Sequence, residues 1–79
     1  MKEQVIEILR AKGIKGADVV LNELEEAGIL THYDFCKYVA REEYFRRAAK
    51  YPKRSSREII SDIAAQYDVS FNTVRRTLV

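Results

Sequence analysis

Near its C-terminal end the sequence runs Ser70-Phe-Asn-Thr-Val-Arg-Arg-Thr-Leu78, a stretch dense in groups that read and hold polar partners. The carboxamide of Asn72 carries a donor and an acceptor side by side, the complement of an adenine edge. The fork of Arg76 matches a guanine edge, and the ring of Phe71 suits a thymine methyl. If these residues start a helix, Phe71 and Asn72 occupy its first turn and Arg76 follows one turn on. That is how a helix enters a major groove by its N-terminal end. Ser70, Thr73 and Arg75 are placed to meet phosphates beside those bases, together with the helix N-terminus itself. Upstream, Lys53, Arg54 and Arg57 extend the same chemistry. Six basic residues and no acidic one lie between Arg46 and Arg57, with Arg46, Arg47 and Lys50 as secondary phosphate candidates. The bland alternative for this run is a solvated face and linker.

Other chemistry finds less material. His32 and Cys36 are the only histidine and cysteine, spaced i, i+4. That spacing invites a thiol–imidazole nucleophile, but no glycine-rich loop or oxyanion-forming segment accompanies it, and a cysteine is commonly a small core residue. One thiol closes no intramolecular disulfide and makes no zinc cluster. Glu42 and Glu43, between Arg41 and Arg46, read as charge pairing on a helix surface. No catalytic residue, metal, cofactor or small-molecule ligand is therefore expected.

The elements that must position these groups read as five helices without a strand, an all-α fold. The first spans about Lys2 to Ala11, with Val5, Ile8 and Leu9 on one face and Gly13 as a stop. The second starts near Gly16 and carries Val20, Leu21, Leu24 and Ala27 at the spacing of a buried stripe, ending at Gly28. Thr31-His-Tyr-Asp34 has capping-box spacing and opens a long third helix to about Lys50, with Phe35, Tyr38, Val39, Phe45 and Ala49 as its apolar face. Tyr51-Pro52 ends it, because a residue before proline is pushed from the α region. Lys53 and Arg54 form a linker. Ser55-Ser-Arg-Glu58 caps a fourth helix from Ser56 to about Tyr67, whose inner face is Ile60, Ile63, Ala64 and Tyr67. Ser70 caps a fifth that runs to Val79.

The last two helices, about Ser56 to Val79, have the pattern of a helix-turn-helix. Ala64 is the small residue at a crossing, Asp68 sits at the turn, Val69 plugs the space beneath it, and Val74 and Leu78 anchor the second helix. Residues 62–78 resemble the helix-turn-helix of the lac-repressor family, which reads approximately D-V-A-x-x-A-G-V-S-x-x-T-V-S-R-x-L. The matches are Asp62, Ala64, Val69, Ser70, Thr73, Val74, Arg76 and Leu78, with Ile63 a conservative equivalent. Asp68 stands where the family has glycine, and Arg75 where it has serine. The resemblance implies double-stranded DNA as partner, with base contacts at Phe71, Asn72 and Arg76. It covers about 17 of 79 residues. A helical N-terminal part followed by a terminal helix-turn-helix is also similar in architecture to phage transcription activators of the Mor type, although no motif in residues 1–50 is shared.

Composition agrees with a folded chain: 47% hydrophobic and 33% charged residues. The net charge of +2 hides an asymmetry. Residues 1–40 hold five Lys/Arg against seven Asp/Glu, and residues 41–79 nine against five. A chain of 79 residues buries only about 60% of its unfolded surface, so a homodimer is a natural source of further burial. We therefore expect one compact domain: residues 1–52 a scaffold or dimerisation part, residues 53–79 the DNA-binding part. No signal-peptide core and no membrane-length apolar run is present, which by elimination points to the cytoplasm. The leading expectation is a transcription regulator of bacterial or phage type that binds a specific DNA sequence. The alternative is a protein-interaction module whose basic segment and first three helices bind an acidic partner. A helix-turn-helix serving a recombinase or transposase would make the same DNA contacts.

Overall fold

The structure, a computed structural model, describes residues 1–78. Five helices follow one another, with no strand among the described residues: α1 Lys2–Ala11, α2 Ala17–Glu26, α3 His32–Lys50, α4 Ser56–Tyr67 and α5 Phe71–Thr77. The expected run of the fifth helix to Val79 falls outside the described residues at its last position. No helix among the described residues is long and apolar enough to cross a membrane.

Each boundary has a local cause. After α2 the chain reverses through Gly28 at φ 75°, where the Gly28 N–H bonds the Glu25 carbonyl and the Ile29 N–H bonds the Leu24 carbonyl. This pair of bonds satisfies carbonyls that the helix end leaves without partners, and glycine takes that left-handed conformation without a Cβ penalty. At the start of α3, the Thr31 N–H donates to the Asp34 carboxylate at 2.8 Å and the Asp34 N–H donates to Thr31 Oγ1 at 3.3 Å. That is a reciprocal capping box with Asp in place of Glu. Ser55 caps α4 by accepting from the Glu58 N–H at 3.1 Å. The Glu58 carboxylate turns outward to Arg54 instead, at 3.5 Å.

The chain forms two compact units, Met1–Cys36 and the remainder from Lys37, divided inside α3. The Tyr51-Pro52 break lies within the second. In the first unit α1 packs on α2, and Val5, Ala17, Leu21, Phe35 and Cys36 are buried. In the second, α4 packs on α5 around a cluster of Ala40, Ile59, Ile60, Ile63, Ala64 and Val74. Tyr44, Ala48, Tyr67, Val69, Phe71 and Leu78 pack against it, partly buried.

Three expected apolar faces are revised. On α2, Leu21 is buried but Val20 is 56% exposed and Ala27 is exposed, while Leu24 is half-buried. On α3, Phe45 is 49% exposed and Ala49 is exposed. The second unit's core is lined instead by Ala40, Tyr44 and Ala48, spaced i, i+4, i+8. At about 100° per residue, Phe45 and Ala49 lie one step round the helix from that line. On α4, Ile59 joins Ile60 in the core at 2% exposure, so two adjacent isoleucines are buried where one was expected. Helices α2 and α3 each carry an apolar stripe that their neighbours leave uncovered, and α4 does not.

These placements separate two kinds of apolar residue. Ile63→Ala empties a fully enclosed site and is expected to cost about 3 kcal/mol. Val20→Ala removes a side chain already in water and should change stability by less than about 0.5 kcal/mol. Urea unfolding followed by circular dichroism measures both.

Candidate nucleic-acid interface

Helices α4 and α5 are joined by three residues, Asp68, Val69 and Ser70, each with a separate task. Asp68 takes φ 53° and ψ 46°, the sole positive φ of a non-glycine residue among those described. The left-handed conformation costs most L-residues about 1–2 kcal/mol, and Asp is among the few that visit it routinely. It lets the Val69 N–H reach back to the Ala64 carbonyl at 3.0 Å. Val69 is thereby directed onto the core, the hydrophobic contact that accompanies such helix ends. Ser70 returns to an extended conformation and caps α5, its Oγ accepting from the Thr73 N–H at 3.0 Å. The hydroxyls of Ser70 and Thr73 lie 2.7 Å apart.

Rotation of α5 is set by Val74, which is fully buried, with Leu78 and Phe71 packed on the same cluster. The opposite side carries Asn72, Arg75 and Arg76, all exposed. Arg75 and Arg76 also lie in the last turn, where cations complement the partial negative charge of the helix end. Ser70 is exposed and Thr73 half-buried. Among the base-contact candidates, then, Asn72 and Arg76 face solvent. Phe71 divides its ring between core and surface.

The cations around α4 fall into two groups. Lys53 and Arg57 are exposed, and among the described residues no ion pair engages either of them, nor Arg75 or Arg76. Arg54, by contrast, bridges from the linker to two carboxylates of α4. Its guanidinium is 2.6 Å from Asp62 and 3.5 Å from Glu58. The hydrogen bond to Asp62 is the chief cause that raises the Arg54 pKa further above its ordinary value. Arg46 and Arg47 both pair with Glu43, and Arg47 also donates to Gln66. Lys50 sits 5.5 Å from the Tyr51 ring centre. Reading the run of six bases by its sequence neighbours missed this pairing. Glu58 could have been found from its i+4 spacing to Arg54; Asp62 comes within reach only once α4 has turned twice.

His32 Nε2 and Cys36 Sγ lie 3.4 Å apart, as their spacing allows. The thiol is buried, so it is shielded from an incoming substrate. No group of three or more His, Cys, Asp or Glu among the described residues is arranged to hold a metal ion. Comparison with known proteins finds no matching family model, no matching curated protein and no matching solved structure.

The caps make the loop testable without any ligand. Ser70→Ala removes the acceptor for the Thr73 N–H and is expected to cost about 1 kcal/mol. Asp68→Gly frees the turn of its Cβ and should cost nothing or add up to about 1 kcal/mol. A Ser70→Ala variant as stable as the parent in thermal melts would show that α5 does not rely on its cap.

Proposed function

We propose that the chain binds double-stranded DNA through a helix-turn-helix made of α4 and α5, with α5 as the recognition helix, and that it acts as a sequence-specific transcription regulator. The observation that carries this reading is the division of α5 into two sides. Val74 is locked into the core, which turns Asn72, beside the capped N-terminus, and Arg76, one turn further on, outward. A helix with this layout can lay its first turn into a major groove, where Asn72 pairs with adenine and Arg76 with guanine. Phe71 keeps its packing and offers only its exposed edge to a thymine methyl.

Phosphate contacts are assigned in two tiers. Lys53, Arg57 and Arg75, with Ser70, Thr73 and the α5 N-terminus, bind without first giving up an ion pair. Arg54 contacts phosphate only by exchanging Asp62 and Glu58 for it, so its net gain is smaller. The same charges make binding fall as salt rises, because each neutralised phosphate releases a counterion. Lys53 and Arg57 supply affinity and register, while Asn72 and Arg76 supply the choice of sequence.

The test is a salt-titrated selection of the purified chain on a random duplex pool, with the retained fraction sequenced. An enriched motif with steep salt dependence is expected. Asn72→Ala combined with Arg76→Ala should lose the enrichment while keeping the helical circular dichroism signal. Lys53→Ala and Arg57→Ala should each lower the salt slope by about 1 without changing the motif. Absence of retention even at low salt would overturn the DNA reading and favour an acidic protein as the partner of the basic segment.

A further inference from the structure

Two apolar stripes that the amino-acid pattern marks for burial remain in water in a single copy. One is on α2: Val20 and Ala27 are exposed, Leu24 is half-buried, and Ile29, 65% exposed, follows the helix end. The other is on α3: Phe45 and Ala49 are exposed, and the Arg41 guanidinium lies 5.5 Å from the centre of the Phe45 ring. Both have helical spacing, and large exposed apolar groups set among charges are a mark of interaction surfaces.

Their charges are opposite. Helix α2 carries Asp18, Glu23, Glu25 and Glu26 and no base. Glu25 is paired with Lys2, while Glu23 and Glu26 stand exposed beside the stripe. The α3 stripe is bordered by Arg41, Arg46 and Lys50, all exposed. Glu42 and Glu43 are on the same helix; both are half-buried, and Glu43 is taken up by Arg46 and Arg47. Pairing α2 with α2 across a two-fold axis would set carboxylates against carboxylates, and pairing α3 with α3 would set cations against cations. Both arrangements are disfavoured by like-charge contact. Only pairing α2 of one copy with α3 of another covers both stripes and matches their charges.

We propose that the chain associates with itself, the acidic α2 stripe of one copy docking on the basic α3 stripe of another. The contact can be made twice across a two-fold axis, α2 of each copy on α3 of the other, or once per pair of copies. This proposal stands apart from the DNA reading.

Sedimentation equilibrium of the full chain without nucleic acid tests it. Association is expected at low salt and should weaken as salt shortens the screening length from about 10 Å at 0.1 M to about 3 Å at 1 M. Glu23→Lys with Glu26→Lys should weaken it roughly tenfold or more, as should Arg41→Glu with Lys50→Glu. Mixing the two reversed variants should restore association, because the basic α2 of one then meets the acidic α3 of the other. That recovery cannot come from variants that have merely unfolded. A chain that stays monomeric to about 1 mM, or reversed variants that associate as the parent does, or a mixture that fails to recover, would overturn the proposal. Because no DNA is present, none of these outcomes bears on what α4 and α5 bind.

Discussion

Helix α5 has only seven residues, and a helix of that length does not persist in water by its own hydrogen bonds. Its existence depends on Val74, buried without residual exposure in a cluster with Ile59, Ile60, Ile63 and Ala64. That one seat also determines which way α5 faces. Turning the helix by a single residue would move Val74 out of the core and bring a charged neighbour in, at a cost no other contact here offsets. The outward direction of Asn72 and Arg76 is thus a by-product of apolar packing. The turn before α5 serves the same end, since the left-handed Asp68 delivers Val69 to the cluster and leaves Ser70 free to cap.

Electrostatics divides the second unit along lines that charge counting hides. Half of the basic run is engaged: Arg46 and Arg47 on Glu43, and Arg54 on Asp62 and Glu58. The exposed Arg54 pairs contribute little to stability, because water screens them and ordering long side chains costs entropy. Their larger consequence is for binding. A cation already beside a carboxylate gains less from a phosphate than one in open water, which gives Lys53, Arg57, Arg75 and Arg76 the larger share in our reading of the interface. The Arg54 bridge also ties the linker after Pro52 to the body of α4.

Burial in the two units explains why the exposed stripes matter. Among the described residues the largest fully buried side chains are Ile59, Ile63 and Val74, all in the second unit. The first unit buries Val5, Leu21 and Phe35 among its large side chains and leaves Val19, Val20 and Ile29 more than half exposed. A small domain with so modest a core gains most from partners that cover what it cannot cover itself.

Much of this was legible in the residues. The five helices, the Thr31–Asp34 box, the stop at Gly28 and the cap at Ser70 follow from local rules that act within four or five residues, where sequence distance and spatial distance nearly coincide. The turn at Asp68 and the inward Val69 and Val74 were readable for the same reason. What the amino-acid order did not decide is which of two adjacent apolar stripes on a helix is buried. Val20 and Leu21 are alike in hydrophobicity, and Phe45 is the more apolar neighbour of Tyr44, yet Leu21 and Tyr44 are the ones that pack against other segments. Nor did it decide which arginines stay unpaired, because Arg54 meets Asp62 only across two turns of a folded helix. Local hydrogen bonding wrote the elements; burial and charge pairing, which depend on segments distant in sequence, were settled by the tertiary structure alone.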